Sequence, residues 1–197
     1  MIKKRRMVRA YTDEPVAPEA VERILRAANR APSAGFSQGY ALLTLQGSEL
    51  ARFWELVTRY HGDETHAGPS FDPVTKAPLV VVPLSCKDIY LDRYARQDKG
   101  WTDRAESHWP VPYWDIDTGF TALLMLLAAV DEGLGALFFG IAPDQIPEFR
   151  ELYGVPEQYL PIGAVAIGHP DPASDQGGSS KVIKRRTLDE LVHRGRW

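Results

Sequence analysis

The chain has 197 residues, of which 44% are hydrophobic and 25% charged, with a net charge of −3. That length suits one domain with a sizeable core, and the balance is that of a soluble globular protein. The mild negative charge argues against nucleic-acid or anionic-membrane partners, and the single cysteine, Cys86, excludes an intramolecular disulfide and a cysteine-built zinc cage.

The basic N-terminal stretch Lys3 to Arg9 has no apolar segment behind it, so it does not read as a secretory signal and a cytoplasmic location is expected. The first helix follows, with Pro18 at its start, Glu19 in its first turn and Val21, Ile24, Leu25 and Ala28 on one face. Pro32 and Gly35 punctuate a loop over residues 31–39, after which Tyr40 to Leu45 reads as a strand. Ser48 offers a cap to a second helix whose apolar face is Leu50, Phe53, Trp54 and Val57. His61 to Lys76 is polar and broken by glycine and proline, hence a loop. Leu79 to Val82 has the β-branched content of a strand buried on both faces.

Residues 87–114 are long, mixed and aromatic, and read as a short helix plus a covering flap. Asp117 to Asp131 is a helix without a polar face, which must be surrounded by protein and is a candidate for sharing with a second subunit. Its longest apolar run, Gly119 to Val130, is too short to span a bilayer. Ala136 to Phe139 reads as a strand, and Ile146, Phe149, Leu152 and Tyr153 mark a helix stopped by Gly154. Ile162 to Ile167 is the last strand, before a Gly/Ser/Pro loop and a tail over 181–197. This interleaved order predicts an α+β fold around one sheet.

Three places carry candidate chemistry. Arg5, Arg6 and Arg9 present planar forks that match phosphate oxygens, with Lys184, Arg185 and Arg186 as a distant second basic group; the alternative is a solvated basic arm. The loop through Pro32, Ser33, Ala34 and Gln38 allows close backbone approach to a flat ligand, or is an ordinary helix-to-strand connection. Gly140, at a strand end, exposes neighbouring backbone amides or simply turns the chain.

In order and spacing, these pieces resemble the nitroreductase family. The resemblance rests on the opening Arg5 to Tyr11, on Ala31 to Ala34 with Ser37 and Gln38, and on Asp117 to Gly119 before the apolar helix. Phe138 to Gly140, Ile167 to Pro170 and Lys184 to Leu188 complete it. It implies a central mixed, mainly antiparallel sheet flanked by helices in an intertwined homodimer. It also implies FMN, gripped at its phosphate by Arg5, Arg6, Arg9, Lys184 and Arg186 and lined by Pro32, Ser33, Ala34, Gln38 and Gly140, the 31–38 loop reaching it from the partner subunit. The implied activity passes electrons from NADH or NADPH to a nitroaromatic, quinone or other electron-poor small molecule by a ping-pong mechanism. Flavin-dependent dehalogenases, oxidases and non-catalytic flavin binders are the alternatives. The chain departs from the family pattern at Met7, at Phe36 and Gly39 around Ser37-Gln38, and at Ser70 and Pro73 before Leu79.

The five histidines show no metal-ligand spacing, so no metal is expected. His108, with Trp109 and Trp114, is a candidate substrate contact; the alternative is that these aromatics cover a subunit interface. Cys86 has no activating base in the sequence and reads as a structural thiol.

Overall fold

The computed structural model describes residues 2–59, 72–175 and 177–197. In chain order the elements are α1 (Pro18–Ala28), β1 (Tyr40–Leu45), α2 (Gly47–Thr58), α3 (Asp72–Thr75), β2 (Leu79–Ser85), α4 (Lys87–Tyr94) and α5 (Tyr113–Asp131). β3 (Gly135–Phe139), α6 (Ile146–Tyr153), β4 (Leu160–Pro161), β5 (Ala164–Gly168) and α7 (Leu188–Leu191) complete them.

The strands form one sheet in the order β1-β2-β5-β3, with β4 beside the end of β2. Every pairing between named strands is antiparallel. The only parallel element among the described residues is the bridge of Met7 to Ala136, which seats the N-terminal segment outside β3. β2 and β5 are buried along their whole length, and their side chains alternate between two cores. Leu79, Val81, Val165 and Ile167 pack with Ile24 of α1 and Met125 of α5. Val80, Val82, Ala164 and Ala166 pack with Phe53 of α2 and Phe149 of α6 on the other face. The result is three layers, which is why the central strands read as continuous apolar runs.

Several sequence expectations shift. β2 runs on through Pro83 to Ser85. Its ladder to β5 ends at Val81 and that to β4 begins at Leu84, so the missing proline donor falls in the gap between them. The Pro83 carbonyl on that side accepts from the Ile162 amide at 3.1 Å.

Gln46, not Ser48, occupies the cap position of α2, because Gly47 turns the chain a residue earlier with φ +56. Residues 60–71, most of the expected 61–76 loop and Ser70 with it, lie outside the described residues, and Asp72–Thr75 is a short helix rather than loop.

α5 begins at Tyr113, directly after Pro112, so the flap ends at residue 112 and Trp114 belongs to the core. At 19 residues α5 is long and apolar enough to cross a membrane by length and composition, unlike the shorter run read from the sequence. Here it packs on α1 and on the sheet. Its other side is open in the single chain: Tyr113, Ile116, Phe120 and Leu123 are 37%, 40%, 39% and 46% exposed. That spacing places all four along one helical stripe.

Candidate active site

The N-terminal segment is pinned before its arginines are aimed. Val8 donates its amide to the Ala136 carbonyl at 3.0 Å, and the buried Tyr11 hydroxyl donates to the Val8 carbonyl at 2.8 Å. Burial raises the Tyr11 phenol far above its ordinary value, with Asp175 adding to the effect, so it stays a donor. Gly135 is required beside this segment, since a Cβ there would come within 2.8 Å of the Val8 side chain.

Arg5, Arg6 and Arg9 line a cleft of about 630 Å³ together with Asp175, Gly177, Gly178, Ser179, Lys181 and Arg185. The two ends of the chain thus converge on one strongly basic hollow. Among the described residues Asp175 is its only carboxylate, and accepts from the Gly177 amide at 2.8 Å. Nη1 of Arg5 is buried with no hydrogen-bond partner among the described residues. A buried guanidinium N–H without an acceptor is costly, and a phosphate oxygen is the acceptor that matches its fork.

Lys184 and Arg186 do not line this cleft. Arg186 donates to the Glu190 carbonyl at 2.6 Å, and Lys181 of the 3-10 turn Ser179–Lys181, with Arg185 further on, lines the cleft instead. Sequence reasoning missed Lys181; its signal was the Gly177-Gly178-Ser179-Ser180 approach, loop chemistry suited to close contact with an anion.

The second group lies at the loop before β1. Gly35, Phe36 and Gln38 take φ of +60, +54 and +53, a left-handed backbone unusual for the last two. Ser33 Oγ accepts from the Gln38 amide at 2.9 Å and Ser37 Oγ donates to the Ala34 carbonyl at 2.6 Å. The Ala34 amide donates to Oδ2 of buried Asp117 at 2.7 Å. Pro32 and Gln38 are exposed and Ser33 and Ala34 half-buried. Loop residues 35–38 border a cleft of about 610 Å³ with Ile89, Asp92, Arg93, Arg96 and Asp98. Gly140 is exposed at the end of β3, with nothing within 4 Å of a Cβ built on it.

Trp109 sits inside an aromatic cluster, its ring centroid 4.5 Å from Tyr94, 5.3 Å from Trp101 and 6.1 Å from Trp114. Trp114 is buried. His108 meets Asp103 at 2.8 Å and Trp101 at 4.7 Å between centroids. The Asp103 carboxyl is held below its ordinary range by the Ala105 amide and by His108. Trp101, Trp109 and Tyr94 pack on one another as a half-buried aromatic cluster of the flap and α4, against the buried Tyr90 and Trp114.

The basic cleft and the 33–38 loop lie at opposite corners of the sheet. Met7 bridges Ala136, which pairs with Ile167, which pairs with Leu79. Tyr40, after the loop, pairs with Ser85 at the far end of β2. With strands ~4.8 Å apart and a rise of ~3.4 Å per residue, Met7 and Tyr40 are on the order of 25 Å apart.

A three-layer α+β fold thus carries a basic cleft lined from both chain ends. The nitroreductase family profile matches residues 2–169. A protein of Archaeoglobus fulgidus, provisionally named as an NADH dehydrogenase/NAD(P)H nitroreductase, is 27% identical over 199 residues, covering 100% of this chain and 97% of its own. The FMN reductase [NAD(P)H] of Bacillus subtilis is 29% identical over 170 residues, covering 84% of this chain and 62% of its own. The crystal structure of a nitroreductase family protein from Clostridium difficile 630 shares the fold with a TM-score of 0.70 at 23% identity, covering 100% of this chain and 96% of the other. The chain belongs to the nitroreductase family and is an oxidoreductase.

Proposed function

We propose that the protein is a homodimeric, FMN-dependent oxidoreductase that takes electrons from NADH or NADPH and delivers them to an electron-poor organic acceptor such as a nitroaromatic or quinone. The observation that carries this reading is the basic cleft, where arginines from one end of the chain meet Lys181 and Arg185 from the other beside the unpartnered Nη1 of Arg5. This donor set fits the phosphate of FMN, with Arg5, Arg6 and Arg9 holding it and Gly177 and Gly178 giving it room.

The open stripe of α5 supports the dimer. Four large apolar residues on one helix face call for a partner surface, and a second copy of the same stripe is the simplest self-complementary cover. Dimerisation also answers the separation of the two loop groups. One chain's cleft and the other chain's Pro32, Ser33, Ala34 and Gln38 then surround a single flavin, which neither chain encloses alone.

Bound FMN supplies the chemistry of accepting a hydride and giving electrons back. The protein's part is to bind, orient and shield. The arginines fix the phosphate, the 33–38 loop closes one side, and the side left open admits donor and acceptor in turn, which gives ping-pong kinetics. The aromatic cluster around Trp109 stiffens the flap over that opening.

Stopped-flow absorbance with each substrate alone tests this. NADH or NADPH alone bleaches the flavin, and adding a quinone in a second mix restores its colour. A flavin that neither nicotinamide bleaches rules the reading out.

A further inference from the structure

We propose that Asp117 is a positioning residue that holds the 33–39 loop in its flavin-facing shape before any cofactor binds. The inference rests on the reading that this loop faces the flavin. Asp117 projects from α5 and is 3% exposed. Its Oδ2 accepts two hydrogen bonds, from the Ala34 amide at 2.7 Å and from the Tyr90 hydroxyl at 2.9 Å.

The loop needs such a hold. Phe36 and Gln38 carry side chains at positive φ, a backbone state that persists only where the surroundings enforce it. The surroundings do so from one side. Arg93 Nε donates to the Gly35 carbonyl at 3.0 Å and the Cys86 amide to the Gly39 carbonyl at 2.8 Å. Gly39 has no room for a side chain, since a Cβ would fall within 2.9 Å of the Cys86 carbonyl and closer still to the Tyr90 ring. All of these anchors come from α4 or its cap. Asp117 ties both the loop and α4, through Tyr90, to the central helix.

A carboxylate is the group this place requires. Both partners are donors, and an ionised carboxylate is an acceptor only, whose hydrogen bonds are strengthened away from water. Burial and the adjacent Asp117 raise the Tyr90 phenol well above its ordinary value, so it remains protonated and donating. An asparagine can seat its amide oxygen where Oδ2 lies and accept the same two bonds, but without the charge that strengthens them.

The test compares FMN binding to apoprotein by flavin fluorescence in the wild type, Asp117→Asn and Tyr90→Phe, with amide exchange at Ala34 in the wild-type apoprotein. The wild-type Ala34 amide exchanges slowly without flavin. Asp117→Asn raises the FMN dissociation constant about tenfold, the size of weakening two charge-assisted hydrogen bonds to neutral ones. Tyr90→Phe, which leaves the bond to Ala34, stays within about threefold. Fast exchange at Ala34 in the wild type overturns the proposal, and does so even if Asp117→Asn fails to fold. So does an Asp117→Asn protein that binds FMN as tightly as the wild type, or a Tyr90→Phe loss as large as that of Asp117→Asn. A wild-type chain that takes up no FMN overturns the functional reading itself, and this is seen before any variant is compared.

Discussion

The guanidinium of Arg9 lies against Gly178, where a Cβ would fall 2.6 Å from its Cζ. Two segments from opposite ends of the chain therefore fix one another, and Arg9 is held at the wall of the basic cleft. Lys3 and Lys4 are exposed and do not line the cleft.

Arg9→Ala is expected to weaken FMN binding by about 1.5–3 kcal/mol, the range for a hydrogen bond to a charged group. Lys3→Ala is expected to change it very little. Gly178→Ala, which pushes the guanidinium aside without removing its charge, falls between them. Isothermal titration of the apoproteins with FMN gives all three values. Equal losses for Arg9→Ala and Lys3→Ala would mean that only a diffuse field is at work.

Alkaline pH is expected to destabilise the chain through its buried phenols. Burial raises Tyr11 and Tyr90 strongly and pushes Tyr153 up to about 12. Each folded-state value lies above the unfolded one, so the unfolded chain gives up its protons first. The contribution is complete below about pH 10 and is lost as pH rises through the folded values. Urea midpoints measured from neutral pH upward stay level as far as these groups are concerned, then fall above about pH 10. Tyr11→Phe makes that fall shallower; an identical slope in the variant would remove Tyr11 from the account.

Where one local signal sufficed, the sequence was readable. Pro18 opens α1 at its first residue, Gly154 ends α6 with φ +61, and β1 spans Tyr40–Leu45 as its composition indicates. Features that depend on distant partners were not readable. The strand was read only as far as Val82, yet β2 runs on to Ser85 because a gap between two neighbouring strands accommodates Pro83. The flap was read as far as residue 114, but Pro112 ahead of the first turn suits a helix start, and α5 begins at Tyr113. In the candidate site, the convergence of the arginines with the C-terminal segment was conjectural from sequence. Which cations face inward depends on a 3-10 turn with no periodic signature, so of the group Lys184, Arg185 and Arg186 only Arg185 lines the cleft, and Lys181, which was not named, joins it. Asp117 was visible only as part of a motif, because its role is defined by Ala34, 83 positions away.

A charge in the open stripe of α5 is expected to separate the subunits. Phe120 and Leu123 lie at its middle, 39% and 46% exposed in the single chain. Phe120→Asp places a carboxylate against its own copy or against apolar surface across a two-fold axis, and either is strongly unfavourable when desolvated. Light scattering at low micromolar concentration should give a dimer for the wild type and a monomer for Phe120→Asp, with the helical circular dichroism kept. A variant that remains a full dimer would move the interface off α5.

The separation between cleft and loop makes a sharper prediction about how the subunits share a flavin. If each site takes its arginines from one chain and its 33–38 loop from the other, damage to either half disables both sites of a homodimer. Arg5→Ala/Arg9→Ala strips the cleft of two of its arginines. Gly35→Val disturbs the loop, since even a Cβ there would meet the Tyr94 ring at 2.7 Å and φ is +60. Each homodimer is expected to retain little FMN. In a mixed dimer, one site receives both defects, while the other pairs the intact cleft of the Gly35→Val chain with the intact loop of the arginine-less chain. Unfolding the two variants together and refolding them, with distinct affinity tags to isolate the heterodimer, should restore FMN to about one per dimer, as two-fold symmetry requires. Flavin released on heating measures it directly. A heterodimer as empty as its parents means that each chain builds its site from its own residues, and the shared-site arrangement is then wrong.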